Sequence, residues 1–173
     1  EDAKYTAESL GIEFKIESID QLHTTLDSQI GEMLNSGHVV ASENIQSRLR
    51  GLIVMAHANS QGRMAIATGN KSELAQGYCT LYGDMAGGLG VISDVYKTEV
   101  YEMCRWLNEE YFRREVIPQV IIDKEPSAEL RPDQKDSDSL PDYGTLDRIL
   151  EYYLEQQASR EEIILAGFNE ALV

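Results

Sequence analysis

Apolar positions in this chain recur in short runs of two different periods, and the two alternate along its length. Ala3, Ala7 and Leu10 fall at helical spacing, a pattern that takes in Glu1, and Gly11 suits a helix C-terminus. Ile12, Phe14 and Ile16 then alternate with Glu13, Lys15 and Glu17, which is the period of a strand. Ile19, Leu22, Leu26, Ile30, Met33 and Leu34 mark an amphipathic helix, closed by Asn35-Ser36-Gly37. Ser42 is placed to cap a longer helix, with Glu43 near its positive end. Ile45, Leu49, Leu52, Ile53 and Ala56 would form its inner stripe, and Asn59 to Gly62 a turn into a short strand, 64–67. A helix-like segment starts at Lys71, and another runs from Lys97 to about Tyr111 with Val100, Met103, Cys104 and Leu107 inward. Val120-Ile121-Ile122 reads as a strand, and Leu146, Ile149, Leu150 and Tyr153 define a later helix. Ser159 with Glu162 forms a capping box for the last helical segment. This order predicts an α/β fold: an open parallel sheet with helices on both faces, its strands ending at Ser18, Thr68 and Asp123.

The stretch 67–94, ATGNKSELAQGYCTLYGDMAGGLGVISD, organises the candidate chemistry. A strand that hands over to a helix through a small polar turn opens a crevice at its carboxyl end, and the helix start offers unpaired N–H groups to an anion. Thr68, Asn70, Lys71, Ser72 and Glu73 put a hydroxyl, an amide, a cation and a carboxylate there. Gly83, Gly87, Gly88 and Gly90 permit close backbone approach. An ordinary strand–turn–helix with a glycine loop is the alternative this pattern leaves open. Lys97 lies near a helix start, where the dipole does not favour a cation; a phosphate would explain it, and so would plain solvation. Asn44 and Arg48, four apart, share a helix face whose more ordinary reading is a solvated one.

Composition narrows the classes. With 173 residues, 42% hydrophobic and 26% charged, the chain can bury a real core. A net charge of −15 argues against a broad nucleic-acid surface but not against a small anion held by a few local cations. The chain has no membrane-length apolar run, and its first residues lack the basic and apolar regions of a signal peptide. Cys79 and Cys104 have no metal-like spacing and read as reduced packing thiols of a cytoplasmic protein. The acidic segment 131–143 matches no calcium loop and reads as a solvated or lid-like loop. Both ends fall within helical patterns, so the chain is expected to be part of a longer polypeptide.

Four segments in order, 43–51 (ENIQSRLRG), 68–88 (TGNKSELAQGYCTLYGDMAGG), 94–101 (DVYKTEVY) and 124–143 (KEPSAELRPDQKDSDSLPDY), resemble the synthetase domain of NAD synthetase, most closely its long, glutamine-dependent bacterial form. The resemblance covers nearly the whole chain. It implies a Rossmann-like ATP-pyrophosphatase fold of the adenine-nucleotide alpha-hydrolase kind, with 1–173 as part of one such domain. It also implies a ligase that adenylates the nicotinate carboxylate of deamido-NAD with ATP and then lets ammonia, drawn from glutamine, displace AMP. On that pattern Thr68, Lys97 and Ser127 would bind ATP, and Asn44, Arg48 and Glu73 would bind deamido-NAD. Glu73 would also meet Mg2+, whereas Asp84 lies in the loop beside the substrate with no assigned role. The family's SGGxDS phosphate loop and a late substrate-binding Lys are absent from this sequence. That loop and a nitrilase-like glutaminase domain are expected upstream, and a homodimer is expected to use the helix after Ser42. This chain alone is therefore expected to be inactive. A non-catalytic nucleotide-binding or dimerisation module is the competing reading, and a GMP synthetase relative fits the TGNKSE and KEPSAEL segments poorly.

Overall fold

The computed structural model describes residues 2–34 and 39–173; Glu1 and the expected stop at Asn35-Ser36-Gly37 lie outside them. Helices α1 (Asp2–Leu10), α2 (Asp20–Leu34) and α3 (Val39–Gln61) come first. Gly11 closes α1 in the left-handed region at φ +67°, a conformation glycine enters without steric cost. Packing joins α2 to α3.

Helix α3 departs from its expected boundaries. It begins at Val39, so Ser42 lies inside it and cannot serve as a cap, which needs a non-helical backbone. It runs through Gln61 and ends at Gly62 (φ +63°), so Asn59 to Gln61 belong to the helix and not to a turn. Its inner face also differs: Leu52 is 60% exposed and Ala56 is exposed, whereas Ser47, Leu49, Gly51 and Ala58 are buried. Small residues are needed there because a loop lies directly on the helix. A Cβ on Gly51 would come within 2.6 Å of the Tyr82 carbonyl oxygen.

Strands β1 (Ile66–Ala67) and β2 (Leu89–Gly90) pair in parallel, Ile66 opposite Leu89 and Ala67 opposite Gly90. Between them runs α4 (Lys71–Gln76), the crossover a parallel pair requires. The other two expected strands do not form. Residues 12–16 are irregular, with Ile12 and Ile16 59% and 82% exposed, because no strand among the described residues runs beside them to complete a ladder. The Ile12 N–H donates to the Ala7 carbonyl at 3.0 Å, and side chains tie the segment to α3 and its end: Glu17 to His57 at 2.7 Å and Glu13 to Arg63 at 3.4 Å. Gln119–Asp123 is a short helix, α6, reached after α5 (Lys97–Trp106) and a wider π-helical continuation, Leu107–Tyr111. Val120 is 55% exposed while Ile122 is 6% exposed; a strand would have turned both to one face.

After α6 come a single 3₁₀ turn, Asp136–Asp138, and α7 (Tyr143–Leu150), which continues as a π-helical turn, Glu151–Glu155. The last helix is α8 (Arg160–Leu165), opened by the Ser159–Glu162 capping box as read from sequence. Met103, expected inward on α5, is exposed, and so is Tyr153 of the helical pattern that begins at Leu146. The core that bears on function joins Tyr96, Leu146 and Leu150, with Leu140 and Tyr143 packed against them. It sits where α4, α5 and α7 meet. Cys79 and Cys104 are free thiols whose pKa values are pushed up by burial. No helix among the described residues is long and apolar enough to cross a membrane.

Candidate functional site

The turn after β1 is built by local capping. Asn70 takes the N-cap of α4: its side-chain oxygen accepts the Glu73 N–H at 3.0 Å. The Glu73 carboxylate reaches back and accepts the Asn70 N–H through Oε2 at 3.1 Å. Asn70 is buried, so it acts as a structural cap. Lys71, a second candidate from the sequence, turns away from the crevice. Its ammonium pairs with Asp94 (2.8 Å) and Glu155 and lies 4.9 Å from the Tyr96 ring centroid. Those hydrogen bonds raise the Lys71 pKa above its ordinary value, and burial pushes the Tyr96 phenol up to about 12.

Glu73 has a second partner. Its Oε1 accepts a hydrogen bond from Lys97 Nζ at 3.0 Å, and both side chains are about one-fifth exposed (21% and 19%). The Lys97 ammonium also lies over two rings, 5.5 Å from the Tyr143 centroid and 5.9 Å from that of Tyr101. Burial, reinforced by Asp136, holds the Tyr143 phenol in its protonated form, and it donates to Asp136 Oδ2 at 2.7 Å.

Glu73 and Lys97 share a cleft of about 390 Å³ with Thr68 and Ser127. Ser127 comes from the 124–143 segment, which forms one wall. That wall is fastened by Gln46, whose Nε2 donates to the Leu130 carbonyl (3.0 Å), and by the Asp136 N–H donating to Pro126 O (2.8 Å). The acidic segment is therefore not wholly solvated: Asp136 is 4% exposed and lines the cleft, and its Oδ1 has no hydrogen-bond partner. Asp133, Asp138 and Asp142 remain exposed.

Asn44 and Arg48 are placed elsewhere. Asn44 Oδ1 accepts the Thr80 hydroxyl at 2.8 Å, and Arg48 Nε donates to the Leu81 carbonyl at 3.2 Å. Both hold the 80–88 loop on α3, and Arg48 borders a neighbouring concavity of about 630 Å³. Met85 lines both hollows, so the two adjoin. Asp84 joins this clamp: Oδ1 accepts the Thr80 N–H (2.8 Å), and the Asp84 N–H donates to Ser47 Oγ (3.0 Å).

Sequence reasoning missed three features. Arg50 adds a second cation to the cleft. Asp136 carries the unpartnered oxygen, and nothing in the pattern of that acidic run distinguishes it. Asp147, 5% exposed, joins α7 to the starts of α4 and α5. Its signal was available: a carboxylate inside the apolar stripe Leu146, Ile149, Leu150 must have a buried partner.

A parallel strand pair, a capped crossover helix at its carboxyl end and a cleft lined by Lys97, Glu73 and two hydroxyl groups together define an α/β domain with a polar cleft at the end of β1. The family model described as NAD synthase matches residues 1–173, so the chain belongs to the NAD synthase family. It is 48% identical to the glutamine-dependent NAD(+) synthetase of Synechocystis sp. over 100% of this chain and 31% of that protein. It is 47% identical to the Thermotoga maritima enzyme of the same name, over 100% of this chain and 30% of that one. Among solved structures, the Acinetobacter baumannii glutamine-dependent NAD+ synthetase in complex with ADP matches at 37% identity and TM-score 0.68, covering 99% of this chain and 30% of that one. The Francisella tularensis NMN synthetase matches at 28% identity and TM-score 0.74, covering 95% and 65%. The chain thus spans about a third of the length of the curated relatives it matches. Its fold class is the α/β, adenine-nucleotide alpha-hydrolase-like one of these structures.

Proposed function

We propose that this chain is part of the synthetase domain of a glutamine-dependent NAD synthetase, a ligase that converts deamido-NAD to NAD through an adenylated intermediate. One observation carries the reading: Thr68, Glu73, Lys97 and Ser127, drawn from three separate motifs, line a single cleft at the end of β1. The ADP bound in the A. baumannii relative supports ATP as the nucleotide. Lys97 binds the phosphates, and Thr68 and Ser127 hydrogen-bond the nucleotide. Asn44 and Arg48 hold the loop beside which deamido-NAD lies, and Glu73 borders both substrates.

Mg2+ fits as a shared ion. Among the described residues no group of three or more His, Cys, Asp or Glu side chains forms a metal cage. A nucleotide-bound Mg2+ needs only one or two carboxylates plus phosphate oxygens. Glu73 is the residue that would hold it, and when bound the ion would neutralise triphosphate charge. The complete polypeptide supplies the phosphate loop and a nitrilase-like glutaminase domain, works as a homo-oligomer and resides in the cytoplasm.

The test is Lys97→Ala in the complete polypeptide, with AMP formation followed from ATP, deamido-NAD and ammonia. Loss of one charge-assisted bond, about 1.5–3 kcal/mol, should raise KM for ATP at least tenfold and leave that for deamido-NAD nearly unchanged. Equal loss for both substrates would overturn the assignment.

A further inference from the structure

The start of α5 is held by a buried network that the nucleotide reading does not use. Ser72 is 0% exposed and Asp147 5% exposed. The Ser72 hydroxyl donates to Asp147 Oδ1 at 2.5 Å and accepts the Lys97 N–H at 2.9 Å. Asp147 Oδ2 accepts both the Thr98 N–H (2.9 Å) and the Thr98 hydroxyl (2.8 Å). Lys97 and Thr98 are the first residues of α5, whose N–H groups have no partner within the helix. A buried carboxylate beside that positive end is favoured by the dipole and satisfied on both oxygens.

We propose that Asp147 is a positioning residue: through Ser72 and Thr98 it sets where Lys97 stands against Glu73. Ser72 precedes Glu73 on α4, and Thr98 follows Lys97 on α5, so one carboxylate fixes the backbone at both ends of the Glu73–Lys97 pair. Sliding α5 along α4 breaks buried charge-assisted bonds, which a rigid interior resists more than an exposed surface does. The inference rests on the reading that Lys97 binds ATP.

In Asp147→Asn the amide offers one acceptor where the carboxylate offered two. Either the Thr98 N–H loses its partner or Ser72 must stop donating. Thr98→Val removes one hydroxyl donor and keeps the backbone N–H. Ile163→Ala, in α8 and 1% exposed in the parent, serves as a destabilised control on a different helix. All three are made in the complete polypeptide, with thermal unfolding and both KM values measured well below the melting transition. A misplaced phosphate-binding group should raise KM for ATP about tenfold or more in Asp147→Asn and less in Thr98→Val, with KM for deamido-NAD changed less than about twofold. Ile163→Ala should lower Tm without that selective rise. If Lys97→Ala raises KM for ATP and neither network variant does, Asp147 has no positioning role and the nucleotide reading stands. If Lys97→Ala leaves KM for ATP unchanged, the nucleotide reading itself fails. Should Asp147→Asn not fold, Thr98→Val alone decides.

Discussion

Replacing Glu73 with Gln separates the two jobs of one carboxylate. Oε2 accepts the Asn70 N–H and Oε1 accepts the Lys97 ammonium. Gln is an acceptable capping-box partner, so α4 should still start at Lys71. It has one carbonyl oxygen, however, and its NH2 group must then face either the Asn70 N–H or Lys97. The pair is neither freely solvated nor sealed, at 21% and 19% exposure. A charge-assisted bond is worth about 1.5–3 kcal/mol and an exposed ion pair at most about 1, so about 1–2 kcal/mol is expected here. For a domain of this size that lowers Tm by about 2–8 °C. Thermal unfolding of the complete polypeptide measures it, and a double-mutant cycle with Lys97→Met should give a coupling energy of about 1 kcal/mol. The same variant should need about tenfold more magnesium for AMP formation, since a hard cation prefers a charged oxygen ligand. A coupling near zero would refute the energetic argument; an unchanged magnesium requirement would refute the metal role. The two readouts can fail separately.

Three carboxylates have pKa values held below the ordinary range: Asp142 by Thr145, Glu125 by Lys135 and Ser137, and Glu162 by Ser159. Depressed folded values mean that their stabilisation is complete above about pH 5 and is lost as pH falls through those lower values. The urea-unfolding difference between the parent and Asp142→Ala, about 1 kcal/mol at pH 7 from loss of the α7 cap, should therefore narrow in acid; a constant gap would contradict the assignment. The proposed homodimer through α3 would use its exposed Leu52 and Val54, 60% and 45% exposed. Leu52→Glu should then convert the complete polypeptide to monomers in sedimentation, and a parent that already sediments as a monomer would end the proposal.

What was legible in the sequence was local. The turn at Thr68–Glu73 could be read because capping acts within four residues, and Ser159 with Glu162 for the same reason. Strand pairing is not local. Residues 12–16 carry a clean alternation, yet they form no strand among the described residues because nothing is hydrogen-bonded beside them. Val120-Ile121-Ile122 was too short for its period to decide, and the different exposures of Val120 and Ile122 follow a helix. Hydrophobicity alone does not pick out the inner face of α3: Leu49 is buried as expected, but Leu52 and Ala56 are exposed. The face is chosen instead by how closely the 80–88 loop approaches, which favours Ser47 and Gly51 over Leu52. A Cβ on Gly83 would meet Ser47 Oγ at 2.2 Å.

The cleft shares the acidic balance of the chain: Lys97 and Arg50 line it together with Glu73, Asp84, Glu129 and Asp136. The chain carries −15 overall, yet its acidic residues are largely committed where they could repel an anion. Glu73 is shared between Asn70 and Lys97, Asp84 is turned into the loop clamp, and Asp147 is sealed behind the start of α5. Each accepts hydrogen bonds from nearby donors, which fix where its charge sits, whereas unpaired surface acids act across solvent and are screened within about 10 Å at moderate salt. Lys97 and Arg50 are the cations that line the cleft, and Lys97 would be shared between Glu73 and an incoming anion. Asp136 keeps one oxygen on the Tyr143 phenol and leaves the other without a hydrogen-bond partner on the 124–143 wall. That asymmetry favours a ligand whose anionic part lies toward Lys97 and whose hydrogen-bond donors lie toward Asp136. A nucleotide has both, in its phosphates and in its ribose hydroxyl or adenine amino groups.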